Sequence, residues 1–332
     1  MTKLLARFAE SALWIARYME RAENLARLLD VNEMFSQDRH DLEEWLPIVT
    51  INADDERFHA SYPAPTVEDV INFYILDDEN PTSIKSAVRS ARENARMIRH
   101  LISTEMWTQL NMFHNRLATM NRGEIRLANL SPICMEIKET CQTHAGIISG
   151  TLYRDEVWCF YQIGKYLERA DQTTRLLDIK FQHAARPSDD IEAMTDAGLW
   201  NALLRSVAGY HAFRREHPRG FKPEMVAGFL INDDGFPRSV AVCLDELKRL
   251  FGELAAEQGR PVPATITGLH AALHDAAAAL PLDKARDGDL HDYLDGLQGR
   301  FIDLYGRLAE HYFSGDVPPP GETRPTQTQT QG

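Results

Sequence analysis

Glutamate and arginine stand side by side twice in this chain, at Glu20-Arg21 and at Glu168-Arg169, and both pairs sit in strongly helical patterns. A glutamate can serve as an acid, a base or a ligand, and an arginine can hold a carboxylate. Adjacent residues on a helix point roughly 100° apart, so the two members of one pair cannot share a local partner. Arg21 falls beside Tyr18, Leu25 and Leu28 at the flank of an apolar face, whereas Glu20 lies among Arg17, Asn24 and Arg27. An arginine at such a flank needs a carboxylate or carbonyl from another helix. Because the arrangement occurs twice, the expectation is reciprocal contact near a pseudo-two-fold axis, Glu20 toward Arg169 and Glu168 toward Arg21. The first reading of these four residues is a structural clamp. The second makes Glu20 or Glu168 a catalytic acid/base, or a ligand, in a cleft between two halves.

A second constellation is basic. Lys85, Arg89, Arg92, Arg96 and Arg99 are spaced four, three, four and three, which sets five cations along one helical ridge. Only Glu93, near Arg89, relieves the repulsion within it. The ridge must meet something negative. Its partner is either the chain's own surface, through Asp77, Asp78 or Glu105, or an external anion: a phosphate, a peptide carboxylate or an acidic protein face. These five residues form the binding-site candidate.

Other chemistries find little support. Asp77-Asp78 and Asp233-Asp234 each precede a proline-started helix, where carboxylates favour the positive end of the dipole. Glu56-Arg-Phe-His59 is a single copy of a motif that a di-iron bundle needs twice. Cys141 and His144 read as residues of a core face, since zinc takes three or four protein ligands. The sequence carries no glycine-rich phosphate loop and no nucleophile elbow. No metal and no cofactor is expected. The four cysteines form no C-x-x-C pair and read as buried small hydrophobes in a reducing compartment.

The elements that position these residues are helical and recur. Ile15-Ala-Arg-Tyr-Met-Glu20-Arg21-Ala22-Glu23 through Arg27-Leu-Leu-Asp30 returns as Ile163-Gly-Lys-Tyr-Leu-Glu168-Arg169-Ala170-Asp171 through Arg175-Leu-Leu-Asp178. Phe73 through Asp77-Asp78, Pro81, Ser83 and Ile84 returns as Phe229 through Asp233-Asp234, Pro237, Ser239 and Val240. The same order and register point to a divergent tandem duplication. By the register of Pro81 and Pro237, the ridge positions become Ala241, Asp245, Lys248, Gly252 and Ala255, so the ridge is peculiar to the first copy. Helical periodicity predicts helices over 3–36, 104–120, 129–150 and 152–181, a short one ending near Tyr74, and one opening at Asn80-Pro81 with the asparagine as cap. Others begin near Trp200, Met225, Pro237, Ala264 and Leu290, while 37–66 is mixed and His183 to Gly198 is a connector.

The expected fold is all-α, a helical bundle of two divergent tandem copies related by a pseudo-two-fold. Residues 1–150 form the first half, 151–313 the second, and 314–332 a disordered tail of Pro, Gly, Thr and Gln. The N-terminus reads as a folded helix and not a signal peptide. With 332 residues, 44% of them hydrophobic, and no membrane-length apolar run, the chain is expected in the cytoplasm. A formal net charge of −13 argues against nucleic acid as a partner.

Several motifs together resemble the bacterial Alpha-E family. They are Tyr-Met-Glu20-Arg21-Ala, Asp-Glu-Asn80-Pro81-Thr-Ser83-Ile84, and Ala-Arg92-Glu93-Asn94-Ala-Arg96 followed by Glu105-Met-Trp107 and Leu110-Asn111. Arg154-Asp155 through Trp158, Phe160, Gly164 and Tyr166 to Leu-Glu168-Arg169-Ala-Asp171 completes the set, and the likeness runs to about residue 312. The resemblance implies an entirely helical protein named for its Glu-Arg signature. It also implies an association with circularly permuted ATP-grasp ligases and transglutaminase-like proteins, in a peptide-synthesis or amide-bond-forming system. No catalytic residue comes with it. The expected function is therefore a non-catalytic interaction or accessory protein. The alternatives are an enzyme forming or cleaving amide bonds with Glu20 or Glu168 as acid/base, and a purely structural, self-assembling bundle.

Overall fold

A computed structural model describes residues 4–35, 42–184, 192–220, 222–280 and 289–314, and all regular structure among them is helical. In chain order the α-helices are α1 (Ala6–Phe35), α2 (Leu46–Ile51), α3 (Asp55–Ser61), α4 (Val67–Ile75), α5 (Ile84–Met97), α6 (Thr104–Thr119) and α7 (Leu130–Thr151). They continue with α8 (Glu156–Ala184), α9 (Glu192–Ser206), α10 (Tyr210–Glu216), α11 (Pro223–Asn232), α12 (Val240–Gln258), α13 (Ala264–Ala278) and α14 (Asp289–Tyr312). Of the connector expected over His183 to Gly198, only 185–191 lie outside the described residues, as does the tail beyond Ser314. The rest is helical, His183 and Ala184 ending α8 and Glu192 opening α9, so the connector is shorter than the lost periodicity implied.

The long helices arise where the 3.6-residue period is unbroken, and the mixed segment after α1 yields only the short α2 and α3. The start of α5 differs from the expected Asn80 cap. Ser83 caps it, its hydroxyl accepting from Ser86 N at 3.1 Å, and Ser239 caps α12 in the same way through Val242 N. Asn80 is instead buried, holding Phe73 O through its amide nitrogen and accepting from Thr82 N. Pro81 therefore sits inside a turn, closed by Ser83 N on Asn80 O at 3.1 Å, and does not open the helix.

Packing follows a simple scheme. α1, α5, α6 and α7 contact one another in a closed ring, and so do α8, α12, α13 and α14. The two rings meet along α1 and α8, the most extensively packed pair of helices. One continuous apolar core runs from Ala9 to Tyr312 through both. α1 touches α4, α5, α7, α8, α9 and α14, and this crowding buries its polar side as well as its apolar seam. Glu20, Glu23, Asn24 and Asp30 are all less than a tenth exposed. A helix wheel shows one apolar face; the surrounding helices decide that the opposite face is interior too.

Candidate functional site

The Glu-Arg pairs lie where α1 crosses α8. Arg169 Nε and Nη2 donate to the two oxygens of Glu20 at 2.8 and 2.9 Å, a bidentate fork across the helix interface. The opposite exchange is also present, with Arg21 Nε and Nη2 on Glu168 at 2.8 and 3.1 Å. Arg17 adds a third bond to Glu168 at 2.8 Å, and its guanidinium packs over Trp14 and Tyr305. Glu168 is fully buried and Glu20 is 6% exposed.

Arg238, just before α12, completes the cluster and was not singled out by the sequence reasoning. Its Nη1 donates to Glu20 at 2.8 Å and to Asn24 at 3.0 Å, and its Nη2 to Glu23 at 3.0 Å. By the register of the two prolines it occupies the place of Thr82, whose hydroxyl meets Asp54 at 2.6 Å. An arginine between the matching Pro237 and Ser239, where the first copy has threonine, was the available signal. Glu23 also holds Arg27, and Asp171 holds Arg175, an i,i+4 pair on each of the two helices. They are interior pairs, so the few tenths of a kcal/mol that apply to exposed pairs do not describe them.

Burial by itself would raise both carboxyls. Arg169 and Arg238 more than reverse this at Glu20, and Arg21 and Arg17 do so at Glu168, holding each down to about 2 from an ordinary 4.5. A carboxylate with every oxygen engaged by guanidinium and so low a pKa is a poor proton acceptor near neutrality. Its arrangement suits a clamp. Cys141 and His144 face the interior of α7, with His144 Nδ1 2.8 Å from Gln109 Oε1 and no metal-holding group among the described residues. All four cysteines are buried thiols.

The basic ridge lies on α5 and just beyond it. Asp78 takes Lys85 at 2.7 Å and Arg89 at 2.9 Å, while Asp77 accepts from the Tyr62 hydroxyl. Glu93 takes Arg92 at 2.9 Å and Arg96 at 2.6 Å. Arg92 also bonds Asn111 and, with Arg99, flanks Trp107 at 5.6 and 5.7 Å from the ring centre. Four of the five cations thus share two carboxylates, Arg99 lies against Trp107, and Arg96 is two-thirds exposed. Asp233 accepts from Gly235 N at 2.9 Å, as Asp77 accepts from Glu79 N at 2.9 Å.

Residues 4–313 match the Alpha-E family, described as a predicted α-helical domain with a conserved Glu-Arg motif. The chain belongs to the Alpha-E family. This chain carries Glu-Arg twice, and both pairs take part in the interhelical exchange just described. Among curated relatives, an uncharacterized protein of Mycobacterium bovis is 23% identical over 277 residues, covering 77% of this chain and 31% of its own length. Two uncharacterized proteins of Mycobacterium tuberculosis strains match over the same extent at 23% and 22% identity. The chain thus spans about a third of the curated relatives it matches. No solved structure matches. No helix among the described residues is long and apolar enough to cross a membrane.

Proposed function

We propose that this Alpha-E protein is a non-catalytic accessory module of an amide-bond-forming system, docking through the ridge from Lys85 to Arg99 onto an acidic face of its partner. The partner class implied by the family resemblance is an ATP-grasp ligase or a transglutaminase-like enzyme, in the cytoplasm. The observation that carries the reading is the surplus of cations on the ridge. Asp78 and Glu93 are its only direct carboxylate contacts among the described residues, and Arg92 and Arg99 stack on a half-buried Trp107 at the surface. Rigid, aromatic-backed arginines are suited to binding carboxylates. The relatives' much greater length supports the same view, because the region they share with this chain is joined to further sequence.

The two halves, 1–150 and 151–313, are divergent copies of one helical unit in this proposal. The two rings of four helices, the reciprocal Glu-Arg exchange, and the matching turns closed by Ser83 on Asp77 O and Ser239 on Asp233 O support it. Divergence then removed the ridge from α12, where Arg249 pairs with Glu246 and Glu253. An Arg92→Glu, Arg96→Glu variant with unchanged circular dichroism is the test. Tagged wild type should recover an ATP-grasp or transglutaminase-like protein from the native host at low salt, and the variant should not. Equal recovery by both would refute docking through this ridge.

A further inference from the structure

A depression of about 270 Å³ opens where the last turns of α1 meet α7 and the α9–α10 junction, and no ridge residue lines it. Its chemistry is set by Arg27, Asp30, Lys138, Arg205, Tyr210 and His211. Three permanent cations therefore face one carboxylate, on a chain whose overall charge is −13. Asp30 is already occupied by Lys138 and by the Ser131 hydroxyl at 2.7 Å. Arg205 has no carboxylate partner among the described residues and lies 4.3 Å over the Tyr210 ring. Arg27 is fixed by Glu23, which Arg238 also holds, so one wall of the depression is anchored in the interhelical cluster. Val31 and Met34 line another side and supply apolar surface.

The turn at Ala208 makes the opening. Ala208 has φ of 60° and precedes α10 by two residues. Ala53, with φ of 54°, precedes α3 in the same way. These are the only non-glycine residues with positive φ among those described, and the two turns pack alike, Phe58 on Phe73 and Phe213 on Phe229. After Ala53 come Asp54, Asp55 and Glu56; after Ala208 come Gly209, Tyr210 and His211. One local backbone thus carries three carboxylates in one place and none in the other. The turn without them is the one that faces three cations.

We propose that this depression binds a small organic oxyanion, a phosphate monoester or carboxylate with a compact apolar or aromatic body. Its volume is slightly below that of drug-sized pockets, which sets the ligand's scale. Arg205 supplies a forked donor, Arg27 (its Nε and Nη2 held by Glu23) and Lys138 add positive charge, and Met34 and Val31 contact the apolar part. This site does not depend on docking through the ridge.

The test is calorimetric titration of the full chain with phenyl phosphate and with benzoate at matched ionic strength. Saturable binding of either is expected, and whichever binds more tightly identifies the oxyanion. Arg205 is exposed, so Arg205→Gln should stay folded and bind about tenfold or more weakly. The Arg92→Glu, Arg96→Glu variant should bind as wild type does. No saturable binding of either compound, or equal affinity in Arg205→Gln, would overturn the proposal.

Discussion

Gly164 of α8 lies so close to Leu13 of α1 that a β-carbon on the glycine would sit 2.3 Å from the leucine carbonyl oxygen. The two helices therefore cross backbone to backbone at this point. Arg17 and Glu168 follow Leu13 and Gly164 by one turn each, on the same faces, and bond at 2.8 Å. The absent side chain at 164 is what brings α1 near enough for arginines to span the interface.

Gly164→Ala tests this relationship, and two effects of opposite sign compete. Alanine gains about 1 kcal/mol in helix propensity. Here its β-carbon meets backbone that cannot step aside, and overpacking costs about 1–3 kcal/mol. Net destabilisation is expected in urea unfolding. Gly146→Ala and Gly150→Ala in α7, where nothing lies within 4 Å of the new carbon, should instead stabilise by about 0.5–1 kcal/mol. Equal gains at all three positions would remove the close approach from the account.

Arg238 touches Glu20, Glu23 and Asn24 at once. Arg238→Gln leaves Glu20 with Arg169 and Glu23 with Arg27, so neither charge is abandoned. The expected loss is about 2–3 kcal/mol, below the roughly 3–5 kcal/mol for stranding a buried charge. A change within about 0.5 kcal/mol, the range of ordinary surface substitutions, would mark Arg238 as a bystander.

Stability should fall with acid in two stages. His144 is lowered from 6.5 to about 4 by burial, so the fold keeps it neutral while the unfolded chain takes a proton. Its contribution is complete above about 6.5 and is lost as pH falls toward 4. Glu20 and Glu168, held near 2, contribute fully above their ordinary 4.5 and lose this as pH falls through 2. His291, raised by its hydrogen bond to Asp178, acts in the opposite direction but is half exposed. A melting-temperature series against pH should show both stages. His144→Gln should flatten the upper one alone; an unchanged slope between 6.5 and 4 would contradict the assignment.

The helices were legible because an unbroken 3.6-residue period needs no knowledge of neighbours, and the Glu20–Arg169 and Glu168–Arg21 contacts because the pattern occurs twice. The burial of Glu23 and Asn24 was not, since it depends on how many helices surround α1. Arg238 reaches across more than 200 residues of sequence, and no local spacing encodes that. The cap of α5 passed to Ser83 because Asn80 was needed inside, on Phe73 O. Trp107 between Arg92 and Arg99 joins α6 to the ridge, a contact that only the packing of α5 on α6 creates.

The central claim is that the two Glu-Arg pairs bind α1 to α8. A double-mutant cycle on Arg21 and Glu168 by urea unfolding, using Arg21→Met and Glu168→Leu, tests it most directly. Glu168→Leu alone strands Arg17 and Arg21, and Arg21→Met alone leaves a buried carboxylate with only Arg17 and Gln172. The account predicts large single losses and a coupling of about 1.5 kcal/mol or more, the double variant recovering part of the stability. Single effects that add within about 0.5 kcal/mol would mean that the pair does not hold the helices together, and would contradict the account.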